Sequence, residues 1–408
     1  MGIQDNNEKS CYEKLRLRSV LGFIYTMLIG FGLYYFLRSL PSFGHSFNYV
    51  AVIERAGEGN LLYTCIWLLM DFTQPQFYGG VLPSIGIIAG GFIAWKLAVN
   101  GSKNSGFEIC YGFPTMWPWV LSSQIISLVV AIFVLNSTRY FADGEFIFLP
   151  TFITVAGAPP SLMLMYGPSY RTLFVTSILG GLISFPIAFW MMRTIVPVFE
   201  IPGVVGNVLT MAFTGIIIGQ ILKSLPWIQK KPIKKARSNE IKISKEDKTI
   251  QMQKPSWFVR RVFADFSEAL FYGNEIAGFL VVIGICIEWL FNSRTGIHGN
   301  LLIPAIVLSQ FIGSGVGILL YFSKYMELGW YATYVPLVSV GPACVIIFGG
   351  SIQVAIIAGV LGGILGGPIA EYVSNRLPEH IHGTVGNVTS MALSTTIVAL
   401  IMEVLPWI

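Results

Sequence analysis

The chain has 408 residues, of which 54% are hydrophobic and only 12% charged, with a formal net charge of +5. Soluble globular chains carry about 25% charged residues, roughly twice this share, so a water-soluble fold of this size is excluded; a mean hydropathy of +0.68 says the same. The basic residues are confined to a few segments between apolar stretches, which argues against nucleic-acid binding and fits the orientation bias of membrane proteins.

A helix that crosses a bilayer needs about 20 mostly apolar residues. The first such run, 19–39, follows a polar N-terminus holding Asp5, Glu8 and Glu13. It is too long for a signal-peptide core and lacks a small-residue cleavage site, so it is expected to persist as a span. Residues 49–70 carry Glu54, Arg55 and Glu58, which are expensive inside hydrocarbon, so only 60–70 is assigned, as a short interfacial helix. Spans follow at 80–99, 117–136, 147–166, 171–195 and 203–223. Residues 229–256 form the one long polar stretch, a flexible cytoplasmic linker whose lysines set orientation or contact anionic lipid. The segment 256–264 reads as a second interfacial helix with Arg260 and Arg261 facing headgroups. Further spans at 276–292, 300–322, 332–349, 353–373 and 384–404 bring the total to eleven.

The charges then orient the chain. With the N-terminus inside, Lys9, Lys14, Lys96, Lys103, Lys223, the run from Lys230 to Lys254 and Lys324 are all cytoplasmic. The outer loops keep isolated arginines such as Arg55, Arg139 and Arg294. This predicts a plasma-membrane protein, N-terminus cytoplasmic and C-terminus outside. Cys11, Cys65, Cys110, Cys286 and Cys344 show neither CxxC nor metal spacing and read as small apolar fillers.

Self-similarity is the most informative feature. Residues 201–228 (IPGVVGNVLTMAFTGIIIGQILKSLPWI) match 381–408 (IHGTVGNVTSMALSTTIVALIMEVLPWI) without a gap and with about half the positions identical. Upstream, GGLISFPIA from Gly180 matches GGILGGPIA from Gly362, and YGPS at 166–169 matches FGGS at 348–351. SQI at 123–125 matches SQF at 309–311, and DFTQPQFYGG from Asp71 matches DFSEALFYGN from Asp265. These blocks stay collinear. They divide the chain into a tail with an accessory span and interfacial segment (1–70), a first repeat (71–228), a linker with its interfacial helix (229–264) and a second repeat (265–408). Five spans per repeat make the second start on the opposite side from the first, so the expected fold is all-α and polytopic, with one accessory helix and two five-helix repeats of inverted topology. The architecture resembles five-plus-five inverted-repeat transporters in general, and no motif points to one characterised family.

Candidate binding groups are polar, at mid-membrane depth and duplicated. Gly206 and Gly386 permit close helix approach, and Asn207 and Asn387 follow. Thr210 and Ser390, then Thr214 and Ser394, continue the same helix face. Such groups in hydrocarbon need partners, which are either a solute or a neighbouring helix. AGAPP at 156–160, with Pro159 and Pro160, corresponds to VSVGP at 338–342, ending in Pro342; prolines there break the helix and free carbonyls. Pro186 and Pro368 kink the next helix in the same way. Gln124 and Gln310 are duplicated and central. Among ionisable residues, Asp71 and Asp265 are mates that precede a span and suit capping or anchoring, with proton coupling as the sharper reading. Glu200 and His380 align just before the Asn motifs, and His382 follows; they are candidates for gating or proton transfer, against a solvated loop.

No Walker motif, HExxH, GxSxG or Cys/His cluster occurs, so neither an ATP motor, a metal or haem cofactor nor an enzyme is expected. The expected function is a secondary carrier working by alternating access between the repeats on a small molecule or ion, with lipids as the other partners. Sodium and protons both stay open as the coupling ion. A channel or facilitator, or a membrane enzyme of lipid or cell-wall metabolism, is the alternative; oligomeric state is not legible.

Overall fold

The computed structural model describes residues 2–40, 49–144, 148–233, 252, 254–292 and 301–406. The middle of the lysine-rich linker, Arg294 and the first residues of the expected spans 147–166 and 300–322 lie outside the described residues, as do the side chains of the N-terminal tail. Every described element is helical. Among the described residues, eight helices are long and apolar enough to cross a membrane: Ser19–Ser39, Val81–Val99, Pro114–Val134, Tyr170–Phe199, Gly203–Ser224, Ile303–Leu320, Ile352–Ser374 and Thr384–Glu403. That is the composition of a polytopic membrane protein.

The apolar run 19–39 is the second part of one helix, α1 (Gly2–Ser39). The region around Glu54 and Arg55 forms α2 (Tyr49–Gly57), which buries Tyr49, Val52, Ile53 and Ala56 and leaves both charges exposed. Asn60 then caps α3 (Leu61–Met70), its side-chain oxygen accepting from the Leu62 and Tyr63 amides. A 3-10 turn, Asp71–Gln76, leads into α4 (Val81–Val99). The first half continues with α5 (Trp117–Val129), α6 (Ile153–Ala156), α7 (Ala158–Tyr166), α8 (Tyr170–Trp190) and α9 (Gly203–Ser224). The second comprises α10 (Pro255–Glu268), α11 (Glu275–Asn292), α12 (Ile303–Leu320), α13 (Val340–Phe348), α14 (Ile352–Ser374) and α15 (Thr384–Glu403).

Close contacts give helix polarity. Gly86 packs on Leu280, Gly90 on Ala277 and Gly284 on Leu82 and Pro83, so α4 and α11 run antiparallel with their backbones almost touching. Gly215 faces Val385 and Gly219 faces Ile381, so α9 and α15 are antiparallel as well. In contrast, Gly359 meets Ser309 and Ile312 while Gly363 meets Gly313 and Val316, so α12 and α14 are parallel. The chain between two parallel neighbours has to return. It does so through 333–350: Thr333 lies on Gly317, Pro336 on Gly313, Gly341 on Ser309 and Gly350 on Leu302, antiparallel along nearly all of α12. From Leu302 to Gly317, at 1.5 Å per residue, that is about 22 Å of path.

This returning segment is broken. Ser339 (φ −151°, ψ −85°) separates the turn Pro336–Val338 from α13, and in the first half Gly157 (φ −105°, ψ −134°) separates α6 from α7. Pro159 and Pro160 sit in the first turn of α7, where their missing N–H costs nothing.

One sequence expectation is corrected. The helix at 255–268 does not turn both arginines to headgroups: Arg260 is half exposed and pairs with Glu275, but Arg261 is buried against Asp265 and Glu268. Arg261, Asp265 and Glu268 recur at helical spacing on the inner face of an amphipathic helix, where the one guanidinium pairs with both carboxylates.

Candidate functional site

The breaks free backbone carbonyls, and two glutamines take them up. Gln124 Nε2 on α5 donates to Val155 O at 2.9 Å and to Leu270 O at 3.2 Å, while its Oε1 accepts from the Tyr272 hydroxyl at 3.3 Å. Gln310 Nε2 on α12 donates to Leu337 O and to Gln76 O, both at 3.0 Å, and its Oε1 accepts from the Tyr78 hydroxyl. Each glutamine thus ties the broken segment of its own half to the approach segment of the other. Both are fully buried.

The two aspartates occupy matching places with different company. Asp71 accepts from the Thr151 hydroxyl, and Asp265 from Thr333, Ser314 and Arg261. Burial pushes the Asp71 carboxyl well above the usual carboxylate range. Asp265 is raised too, because burial outweighs the guanidinium beside it. Asp71 is the C-cap of α3, its backbone N–H bonded to Leu69 O and Trp67 O, whereas Asp265 lies within α10.

Between the halves lies a cavity of about 280 Å³. The first half contributes Gln74, Phe77, Phe152, Val204, Asn207, Val208 and Met211; the second contributes Phe271, Tyr334, Thr384, Val388 and Met391. Val204, Val208 and Met211 line one face of α9, and their repeat mates Thr384, Val388 and Met391 line the corresponding face of α15. No charged residue or histidine lies among the described residues of the wall. The polar groups are the Asn207 and Gln74 amides and the hydroxyls of Tyr334 and Thr384. The Asn207 Oδ1 and Gln74 Oε1 atoms are buried without a hydrogen-bond partner, an arrangement that costs free energy unless a bound group supplies a donor. The cavity offers an uncharged solute apolar walls and a few fixed polar contacts.

The residues singled out in the sequence fall into different places. Asn207 lines the cavity; Asn387 reaches its wall indirectly, donating from Nδ2 to the Tyr334 hydroxyl at 3.0 Å. The Thr210 hydroxyl bonds Gly206 O of its own helix, and Ser390 bonds Gly366 O across to α14. Gly206 accommodates Val196 and Met192, and Gly386 accommodates Ser374. Pro160 and Pro342 are buried beside the breaks, outside the wall. Glu200 is exposed at a left-handed turn (φ 51°). His380 is half-buried, with its Nε2 unpartnered. His382 lies next to the cavity: its Nδ1 accepts the Thr384 amide at 3.1 Å, its ring packs on Phe271, and burial lowers its pKa to about 4.

Gln74, Tyr334 and the Arg261–Asp265–Glu268 cluster are additions to the sequence reading. The i, i+4, i+7 spacing of the cluster was a legible signal; Tyr334 and Gln74 have chemically different mates, Phe152 and Glu268, so a search for duplicated polar residues passes over them. The chain matches no protein-family model and no curated protein sequence.

Proposed function

We propose that the chain is a secondary, non-ATP transporter for a small uncharged solute, working by alternating access between two inverted repeats. The antiparallel packing of repeat mates, α4 on α11 and α9 on α15, supports the inverted relation, because mates that meet head to tail imply a two-fold axis across the helices. The return path along α12 supports counting the two broken segments as spans; added with α11 to the eight long helices, they give eleven. The lysine distribution favours a cytoplasmic N-terminus and an external C-terminus in a plasma membrane.

One observation carries the reading: the cavity sits between the halves, is walled by residues and their repeat mates, and presents the unpaired Asn207 carbonyl oxygen. A thermal-shift screen of the detergent-solubilised protein against uncharged solutes identifies binders by raised stability, and uptake of those binders into proteoliposomes tests transport. Saturable uptake, reduced at least about tenfold by Asn207→Ala through loss of one buried hydrogen bond, is expected. Uptake by Asn207→Ala equal to wild type overturns the site; flux that never saturates and shows no counterflow overturns the carrier.

A further inference from the structure

Three properties of the cavity narrow the chemistry of its solute. The first is size. An apolar cavity of about 150 Å³ holds a benzene ring. At about 280 Å³ this one has room for two fused rings, roughly ten to fourteen non-hydrogen atoms. The second is the lining. Phe77, Phe148, Phe152, Phe271 and Tyr334 bring rings to the wall, and three methionines add thioethers. Such side chains favour a flat aromatic guest through ring-edge and sulfur contacts.

The third property is the polar complement, which is small. Asn207 and Gln74, 8% and 5% exposed, each hold a side-chain oxygen buried with no hydrogen-bond partner. Each oxygen calls for an N–H or O–H donor from a bound group. The Tyr334 hydroxyl accepts from Asn387 Nδ2 at 3.0 Å, which leaves its own proton to donate. The Thr384 hydroxyl is already engaged with His382 Nδ1 at 2.8 Å. The wall therefore accepts at least one hydrogen bond and donates one, and it carries no charge among the described residues.

Several classes of cargo fail against this wall. A sugar would leave most of its hydroxyls unpaired. An amino acid or a carboxylate would bring a charge that nothing in the wall balances. A hydrocarbon would leave both amide oxygens without a donor. A flat, neutral ring system with an N–H beside a C=O matches all three properties. Asparagine and glutamine pair with heterocycle edges of this donor–acceptor kind, as they do with adenine.

We propose that the cargo is a neutral, planar heterocycle of two fused rings carrying a ring N–H next to a carbonyl. This rests on the cavity being the carrier's solute site. The ring N–H donates to Asn207 Oδ1, and the Tyr334 O–H donates to the ring carbonyl. Gln74 Oε1 accepts a second N–H where the solute has one. Asn207 and Gln74 belong to the first half and Tyr334 to the second, so the solute ties the halves together.

Two isosteric probes test this. Carbostyril is a bicyclic lactam, and coumarin is the same skeleton with the ring N–H replaced by oxygen, so the pair differs in one donor and not in size. Dissociation constants are measured by calorimetric titration of the detergent-solubilised full chain. Carbostyril should bind at least about tenfold more tightly than coumarin, because coumarin buries the Asn207 oxygen without a donor. Asn207→Ala should shrink that preference to about twofold or less. Tyr334→Phe installs the ring that its repeat mate Phe152 already has; it should weaken both probes by about fivefold and leave the preference between them intact. The wild-type preference needs no variant, so the claim stays exposed even if Asn207→Ala fails to fold. Equal binding of the two probes, or binding of neither, overturns the solute class; the carrier reading survives that result if another uncharged solute is taken up saturably. A preference that persists in Asn207→Ala overturns the assignment of the N–H to that residue. The expected binding pattern without uptake of carbostyril into proteoliposomes supports the solute class and overturns the carrier.

Discussion

Replacing Gln310 with leucine tests the architecture most sharply. The side chain keeps its bulk but leaves three buried groups without a partner: Gln76 O, Leu337 O and the Tyr78 hydroxyl. If each lost bond behaves like an average interhelical bond in a bilayer, about 0.6 kcal/mol, the total is about 2 kcal/mol. If each orphan costs about 2 kcal/mol, as in a dry protein interior, the total is about 6 kcal/mol. Equilibrium unfolding in mixed micelles of mild detergent and SDS reads this difference. Tyr78→Phe removes one of the orphans, so the double variant Gln310→Leu/Tyr78→Phe should be less destabilised than the sum of the single variants, by about 1 kcal/mol. The equivalent pair in the other half, Gln124→Leu with Tyr272→Phe, should show the same shortfall, because its bonds repeat the pattern. A Gln310→Leu protein within about 0.5 kcal/mol of wild type, or strictly additive double variants, would refute the claim that these glutamines hold the helix breaks to the opposite half.

The buried aspartates give a contrasting pair of predictions. Asp71→Asn should change the unfolding stability by less than about 1 kcal/mol, since burial already disfavours the charged carboxylate and an amide oxygen still accepts from Thr151. Arg261→Leu should cost about 3–5 kcal/mol in the same measurement, because Asp265 and Glu268 lose their common cation while remaining buried. For His382 the sign follows from its lowered pKa: the folded ring stays neutral down to about pH 4, while the unfolded ring protonates near 6.5, so its contribution is full above that value and is lost as the pH falls through the interval. With the ring only part-buried, about 1–2 kcal/mol is expected, and thermal midpoints measured between those pH values should fall less steeply in His382→Asn than in wild type.

Much of the fold was legible because its causes are local. Apolar runs of the right length gave the long helices, and prolines and glycines at 156–160 and 338–342 marked the breaks. What stayed hidden depends on contacts made across the chain. The breaks and Gln124 or Gln310 read as separate features, although each glutamine exists to satisfy the carbonyls that a break releases. Arg261 read as interfacial because a cation in an amphipathic segment usually faces headgroups; only the fold shows that Asp265 and Glu268 turn that face inward.

The repeat itself separates architecture from chemistry. Where both halves keep the same polar residue, the structure mostly uses it to hold the frame: Gln124 and Gln310 pin the breaks, and Thr151 and Thr333 hold the aspartates. A two-fold frame needs such contacts twice. A carrier that binds one solute and couples it to one ion needs its chemistry once, so divergence between mates is the more telling signal. Tyr334 stands opposite Phe152, Glu268 opposite Gln74, and Arg261 opposite Trp67, and the first two pairs put a hydroxyl and a carboxylate at or beside the cavity where their mates offer a phenyl ring and an amide. Asn207 and Asn387 obey both rules: identical in sequence, they differ in circumstance, one bonded to Tyr334 and the other holding an unpaired oxygen toward the cavity. If the halves exchange conformations, those two roles exchange with them, and each asparagine is in turn the one that meets the solute.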